Sequence, residues 1–193
     1  MQLIMFIGSR GRSYSLTHFF ILLSLLLSCE PVNNEIVIIG SKNDNLEIVK
    51  LNPVISLPTY PIYAMDSIDL NGDNLFEAKF IKSPKPALTG FSTETLIITK
   101  NKTQILLSGI NNFPDSLSLN TRLESNANWS SGGSTTFILQ SFNCNSDYCP
   151  GVGNFVNVTD KFIGYKIGKA MGWIKIDNSE HGDLIIKEYT VIK

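Results

Sequence analysis

The chain has 193 residues, 16 basic and 17 acidic side chains, and a hydrophobic content of 43%. This near-neutral balance leaves no basic footprint for nucleic acid, and the length is enough for one self-sufficient core without metals or many disulfides. Charged residues are only 17% of the chain, so its solubility rests largely on amides and hydroxyls, as in secreted β-rich proteins.

The first element is a leader. Arg10 and Arg12 precede the apolar run Phe19-Phe20-Ile21-Leu22-Leu23-Ser24-Leu25-Leu26-Leu27, and Ser28 stands before Cys29. That run is too short to span a bilayer as a helix, and Leu-Leu-Ser-Cys looks like a bacterial lipoprotein signal. Residues 1–28 are therefore expected to be a signal peptide, with Cys29 lipidated and residues 29–34 a short tether. Removing the leader, with its two arginines and no acid, leaves 193 less 28, or 165 residues, at a formal charge of −3. The expected address is the envelope of a Gram-negative bacterium, with the lipid in the outer membrane. Glu30 to Asn34 can reach only about 17 Å at about 3.5 Å per residue, so the domain is expected close to its membrane.

From residue 35 to 193, β-branched bursts are interrupted every eight to twelve residues by Asn, Gly, Pro and Asp, which predicts one all-β domain. Expected strands are Ile36–Gly40, Leu46–Leu51, Ala64–Leu70, Leu75–Ile81, Thr95–Lys100, Thr103–Ser108, Thr135–Ser141, Phe155–Val158, Phe162–Ile167, Gly172–Ile176 and Leu184–Ile192. An antiparallel β-sandwich of about nine to eleven strands accounts for them. No window after Cys29 keeps the 3.6-residue apolar period for three turns, so no long helix is expected. Two hairpins are predicted, one about Asn71-Gly72 and one about Lys100-Asn101-Lys102. The stretch Leu184 to Ile192 is apolar on both faces and reads as an interior strand.

Several residues could carry chemistry. Asp69, Asn71, Asp73 and Glu77 place oxygen-bearing side chains around Gly72, with Asp66 upstream. The pattern reads either as a turn with solvated acids or as a calcium site, because calcium takes six to eight oxygens. It departs from the EF-hand, since Gly72 is fourth rather than sixth from Asp69. In this region the chain also resembles a poorly characterised group of secreted or lipid-anchored bacterial β-sandwich proteins. The likeness rests on the Asp-x-Asn-Gly-Asp loop within Met65–Phe80 and on Phe-Ile-Gly-Tyr-Lys-Ile, Gly-Trp-Ile-Lys-Ile and Leu-Ile-Ile-Lys-Glu-Tyr within Phe162–Tyr189. It implies a sandwich fold and life outside the cytosol, and no activity.

Cys144 and Cys149 suit a disulfide in an oxidising compartment; a zinc site is the alternative, but Cys-x4-Cys lacks a second pair. After the leader, His181 is the single histidine, and it sits in a turn-like Glu-His-Gly-Asp stretch. No Gly-x-Ser-x-Gly elbow presents a serine for it to activate. Glu77, Glu94, Glu124 and Glu188 keep glycoside hydrolysis open, because that reaction needs only two carboxylates. Trp129, in a polar loop, either pins that loop or stacks on a sugar. The leading expectation is a non-enzymatic binding or structural lipoprotein with membrane, glycan or envelope-protein partners. A glycan-binding module or glycoside hydrolase is the alternative.

Overall fold

The computed structural model describes residues 36–58, 63–85, 92–109, 111–143, 150–179 and 183–193. The chain divides into Met1–Asn33 and Asn34–Lys193, and every described residue belongs to the second unit. Its strands are β1 (Ile36–Ile38), β2 (Leu46–Leu57), β3 (Ala64–Ile68), β4 (Ala78–Lys85), β5 (Ser92–Thr99), β6 (Thr103–Ile105), β7 (Arg122–Glu124), β8 (Thr135–Asn143), β9 (Gly151–Val152), β10 (Val158–Ile167), β11 (Ala170–Asn178) and β12 (Leu184–Ile192). The architecture is the expected all-β one, and every ladder is antiparallel. The short strands β7 and β9 were not expected, because two or three residues carry no readable alternation.

The strands form two five-stranded sheets, ordered β2-β12-β11-β10-β6 and β3-β4-β5-β8-β9, and a two-stranded ribbon of β1 and β7. The inner faces of both large sheets share one core. Phe80, Ile97 and Leu139 come from one sheet, and Ile105, Ile163, Ile174 and Ile186 from the other. A second core lies on the far face of β10 and β11, where Phe162, Met171 and Trp173 pack with Val37 of β1, Leu123 of β7, Leu106 and Leu117. Phe162 and Trp173 meet edge to face, with centroids 5.3 Å apart. Each large apolar side chain fully removed from water contributes about 1.5–3 kcal/mol.

Burial on two sides is written into the pairing of β10 with β11. Gly164 faces Trp173 and Tyr165 faces Gly172, so each glycine lies across from a large ring. A Cβ on Gly164 would come within 3.0 Å of Leu123 and 3.2 Å of Leu117, which shows how closely the second core approaches the strand. A Cβ on Gly172 would collide with the Tyr165 ring end and the Thr190 hydroxyl. The space is needed because the buried Tyr165 hydroxyl donates to the Thr190 carbonyl at 2.6 Å, and the Thr190 hydroxyl accepts the Trp173 amide at 2.9 Å. Burial, opposed by the hydrogen bond to Thr190 and aided by the charge of Glu77, pushes the Tyr165 phenol above its ordinary range.

Strand β12 lies between β11 and β2, the interior place expected for it. The Lys100-Asn101-Lys102 segment is a correction. Asn101 and Lys102 have φ of 52° and 63°, and Thr103 donates to Lys100 O at 2.9 Å, which makes a tight turn with positive φ at both central residues. The strands on either side do not pair. β5 stays in one sheet and β6 joins the other beside β10, so this turn is a crossing between layers rather than a hairpin.

Replacing Gly172 by Ala should destabilise the domain by about 2–3 kcal/mol through overpacking. The drop in the urea midpoint, with the slope unchanged, measures it.

Candidate metal centre

The loop from Asp69 to Glu77 connects β3 to β4, whose ladder ends at Ile68 opposite Ala78. The hairpin expected about Asn71-Gly72 is present, since β3 and β4 pair antiparallel, but its strands stop earlier and start later than expected, leaving a nine-residue loop. Gly72 and Asn74 take positive φ, 73° and 65°, and Asn71 does not. The reason is that Leu70 is fully buried in the main core, which pulls the chain away from the ladder before the Asn-Gly pair is reached. The Leu70 carbonyl accepts the Ile192 amide at 2.9 Å, and Val191 lies 3.7 Å from where a Gly72 side chain would begin. The loop therefore joins the sheet of β3 and β4 to the last strand of the other sheet.

Side-chain carboxylates organise the loop from within. Asp69 Oδ1 accepts the amides of Asn71 at 3.1 Å and Gly72 at 2.7 Å, and Oδ2 accepts that of Asn74 at 2.7 Å. Burial acts to raise the Asp69 pKa, but the surrounding backbone N–H groups of Asn74, Asn71, Gly72 and Asp73 outweigh it and hold the carboxyl below its ordinary value of 3.8. Asp73 Oδ1 accepts the Leu75 amide at 2.8 Å, and the Asn71 side-chain amide donates to Asp73 Oδ2 at 3.1 Å. Glu77 is fully buried; it accepts the Leu70 amide at 2.9 Å and the Asn101 side-chain amide at 3.1 Å. Asn101 sits in the crossing turn between β5 and β6, so both chain reversals meet at this glutamate.

Asp69, Asp73 and Glu77 bring one carboxylate oxygen each to within 4.8 Å of one another. Two oxygens on a calcium ion at about 2.4 Å can be at most about 4.8 Å apart, so the three satisfy the outer geometric limit of a shared site. Each carboxylate oxygen offers two lone pairs, and one hydrogen bond leaves capacity for a cation. Three carboxylates of graded exposure, with Glu77 buried, Asp69 half-buried and Asp73 exposed, suit a hard divalent ion entering from solvent. Asn71 stays in the loop and bridges to Asp73. Asp66 lies on β3 and bonds its neighbour, the Ser67 amide, at 2.7 Å.

The other expected residues are dispersed. Trp129 is half-buried against the second core, and its indole N–H donates to the Glu124 carbonyl at 2.9 Å. The Lys166 ammonium lies 5.8 Å from its ring centroid. Glu94 is on β5 and Glu124 on β7, while Glu188 on β12 is 3.6 Å from the Lys175 ammonium. Cys29, Cys144, Cys149 and His181 lie outside the described residues.

One buried ionisable group went unanticipated. Lys82 of β4 is fully buried, in phase with inward Phe80, and period-two alternation is the signal that could have found it. Its ammonium donates to Asn178 Oδ1 at 3.3 Å. The Asn178 amide in turn donates to Gln140 Oε1 at 2.8 Å and to the Phe155 carbonyl at 3.0 Å, so a polar network crosses between the sheets. Burial lowers the Lys82 pKa from 10.5 to about 8, against an opposing effect of the Asp183 charge. Comparison of the chain with protein-family models, with curated proteins and with solved structures gives no match.

Two measurements follow from these charges. Between pH 8 and about 10 the unfolded chain binds the Lys82 proton more tightly than the folded one, so stability contributed by this site rises with pH. Urea midpoints should show that rise in the wild type and lose it in Lys82→Met. Asp69 works in the same sense but at acid pH. Its depressed folded pKa contributes stability above the unfolded value of about 3.9, and that contribution is lost as pH falls through the folded value. Asp69→Asn should cost about 1 kcal/mol at pH 7 through weakened loop hydrogen bonds, and the gap from wild type should narrow below pH 4.

Proposed function

We propose that this chain is a lipid-anchored cell-envelope protein of the secreted or anchored bacterial β-sandwich kind. Residues 1–28 are removed, Cys29 carries the lipid in the outer membrane, and the domain from residue 35 onward serves a non-enzymatic binding or structural role. Calcium occupies the loop of Asp69, Asp73 and Glu77 and stiffens the joint between the two sheets. The convergence of these three carboxylates within 4.8 Å, in a loop hydrogen-bonded to β12, carries the calcium assignment. The leader and Leu-Leu-Ser-Cys29 carry the anchor. A Cys144–Cys149 disulfide belongs to the same extracytoplasmic reading.

The non-enzymatic reading draws support from how the candidate acids are used. Glu77 belongs to the carboxylate loop, held there by Leu70 and Asn101, and Glu188 is paired with Lys175. Trp129 has its N–H turned to its own loop, a pinning geometry rather than an open sugar platform. A glycan-binding module or hydrolase remains the competing class and would show binding or turnover on a glycan array.

Calcium should raise the melting temperature reversibly, and a chelator should return it. At a hundredfold excess over the dissociation constant the gain is about 2.7 kcal/mol. Asp73→Ala should abolish the calcium-dependent difference while lowering the metal-free midpoint only slightly. An identical melting curve with and without calcium removes the ion from the proposal.

A further inference from the structure

A surface ribbon over a core normally alternates apolar inward and polar outward. β1 does not. Val37 and the following Ile39 are buried, at 3% and 0% exposure, yet Ile36 and Ile38 on the opposite face are isoleucines left 39% and 42% exposed. Leu119, 60% exposed, packs its side chain over Gly40, and the Asn120 amide donates to Ile39 O at 3.1 Å, which extends the apolar strip past the end of the strand. Across the ribbon Ile38 is opposite Arg122 and Ile36 opposite Glu124, so the strip is edged by charge. Contiguous exposed apolar surface rimmed by polar groups marks an interaction site.

We propose that Ile36, Ile38 and Leu119 form a seat on the bilayer surface. What selects the membrane as occupant is the distance to the anchor. Only residues 30–35 lie between Cys29 and Ile36, so the near end of the strip, at Ile36, can lie no farther than about 25 Å from Cys29, at about 3.5 Å per residue. Once the lipid is inserted, the strip is held at high effective concentration beside a surface that accepts isoleucine and leucine at the headgroup boundary, with Arg122 among the phosphates. The domain then rests on the membrane by its ribbon instead of swinging on its tether. This inference rests on the anchor reading.

Both tryptophans provide an internal reporter. Trp173 lies in the core beneath the ribbon, and Trp129 is bonded to Glu124 of β7. The lipidated full chain is reconstituted in phosphatidylethanolamine and phosphatidylglycerol vesicles containing a dansyl-headgroup lipid, and energy transfer from tryptophan is measured. Its mass is recorded in parallel to count acyl chains. A seated ribbon gives transfer at least about twofold higher than in the triple variant Ile36→Ser, Ile38→Ser, Leu119→Ser. Inserting about ten Gly and Ser residues after Asn34, which leaves every strand intact, does not lower it. Acylated protein whose transfer matches the triple variant, or falls as the tether lengthens, overturns the seat and leaves the anchor standing. Loss of a cross-linked dimer in the triple variant, with transfer unchanged, gives the strip to a second copy and also overturns it. A mass without acyl chains removes the anchor and the seat together.

Discussion

The constraint on which the rest depends is that β10 and β11 are buried on both faces. One face meets the opposing five-stranded sheet, and the other meets the β1–β7 ribbon and the Leu106 and Leu117 segments. A strand pair in that position has no solvent side on which to place bulk, so the crowding is resolved within the pair. Gly164 opposes Trp173, and Gly172 opposes Tyr165; the Tyr165 ring fills the space over Gly172, and Leu123, Leu117 and Leu106 fill that over Gly164. The unit stays rigid because the Tyr165 hydroxyl is tied to the neighbouring strand through Thr190.

Around this unit the two sheets are joined by polar devices at two separate places. The Asp69–Glu77 loop sends Leu70 into the core, bonds the terminal strand, and gathers the Asn101 turn on Glu77. The Lys82–Asn178–Gln140 network bridges β4, β11 and β8. These devices differ in energetic character. The loop meets its carboxylates with backbone and side-chain amides, Asp69 and Asp73 being at least partly open to solvent and Glu77 buried. The lysine carries its charge where hydration has been stripped away, and a buried ammonium is retained for specificity more readily than for stability.

How far the fold was legible follows from which physical signal each element carries. Strand β12 was readable to the residue because it is apolar on both faces and bounded by turn residues. Strand β2 ran six residues past its expected end, since the pattern weakens around Asn52-Pro53 and pairing with β12 restores it. Of the two expected hairpins, the one about Asn71-Gly72 forms, because β3 and β4 pair antiparallel on either side of that loop, while the one about Lys100-Asn101-Lys102 does not. Turn chemistry reports local φ preference, and Asn101 and Lys102 do take positive φ, but β5 and β6 go to different sheets because distant packing decides which strands a turn joins. For the candidate site, residue types and spacing pointed correctly to Asp69, Asp73 and Glu77 as neighbours. The contribution of Asn101, 24 residues beyond Glu77, and the inward lysine on β4 needed the third dimension.

The order of strands in the sheet of β2, β12, β11, β10 and β6 has a bearing on biogenesis. Among the described residues the twelve-residue strand β2 has its ladder with β12, far downstream in the chain. Until β12 has been made that ladder cannot close, and β2 lacks its partner in the sheet. Closing that edge of the sheet therefore waits on a pairing between segments far apart in the chain, the kind of contact that slows folding.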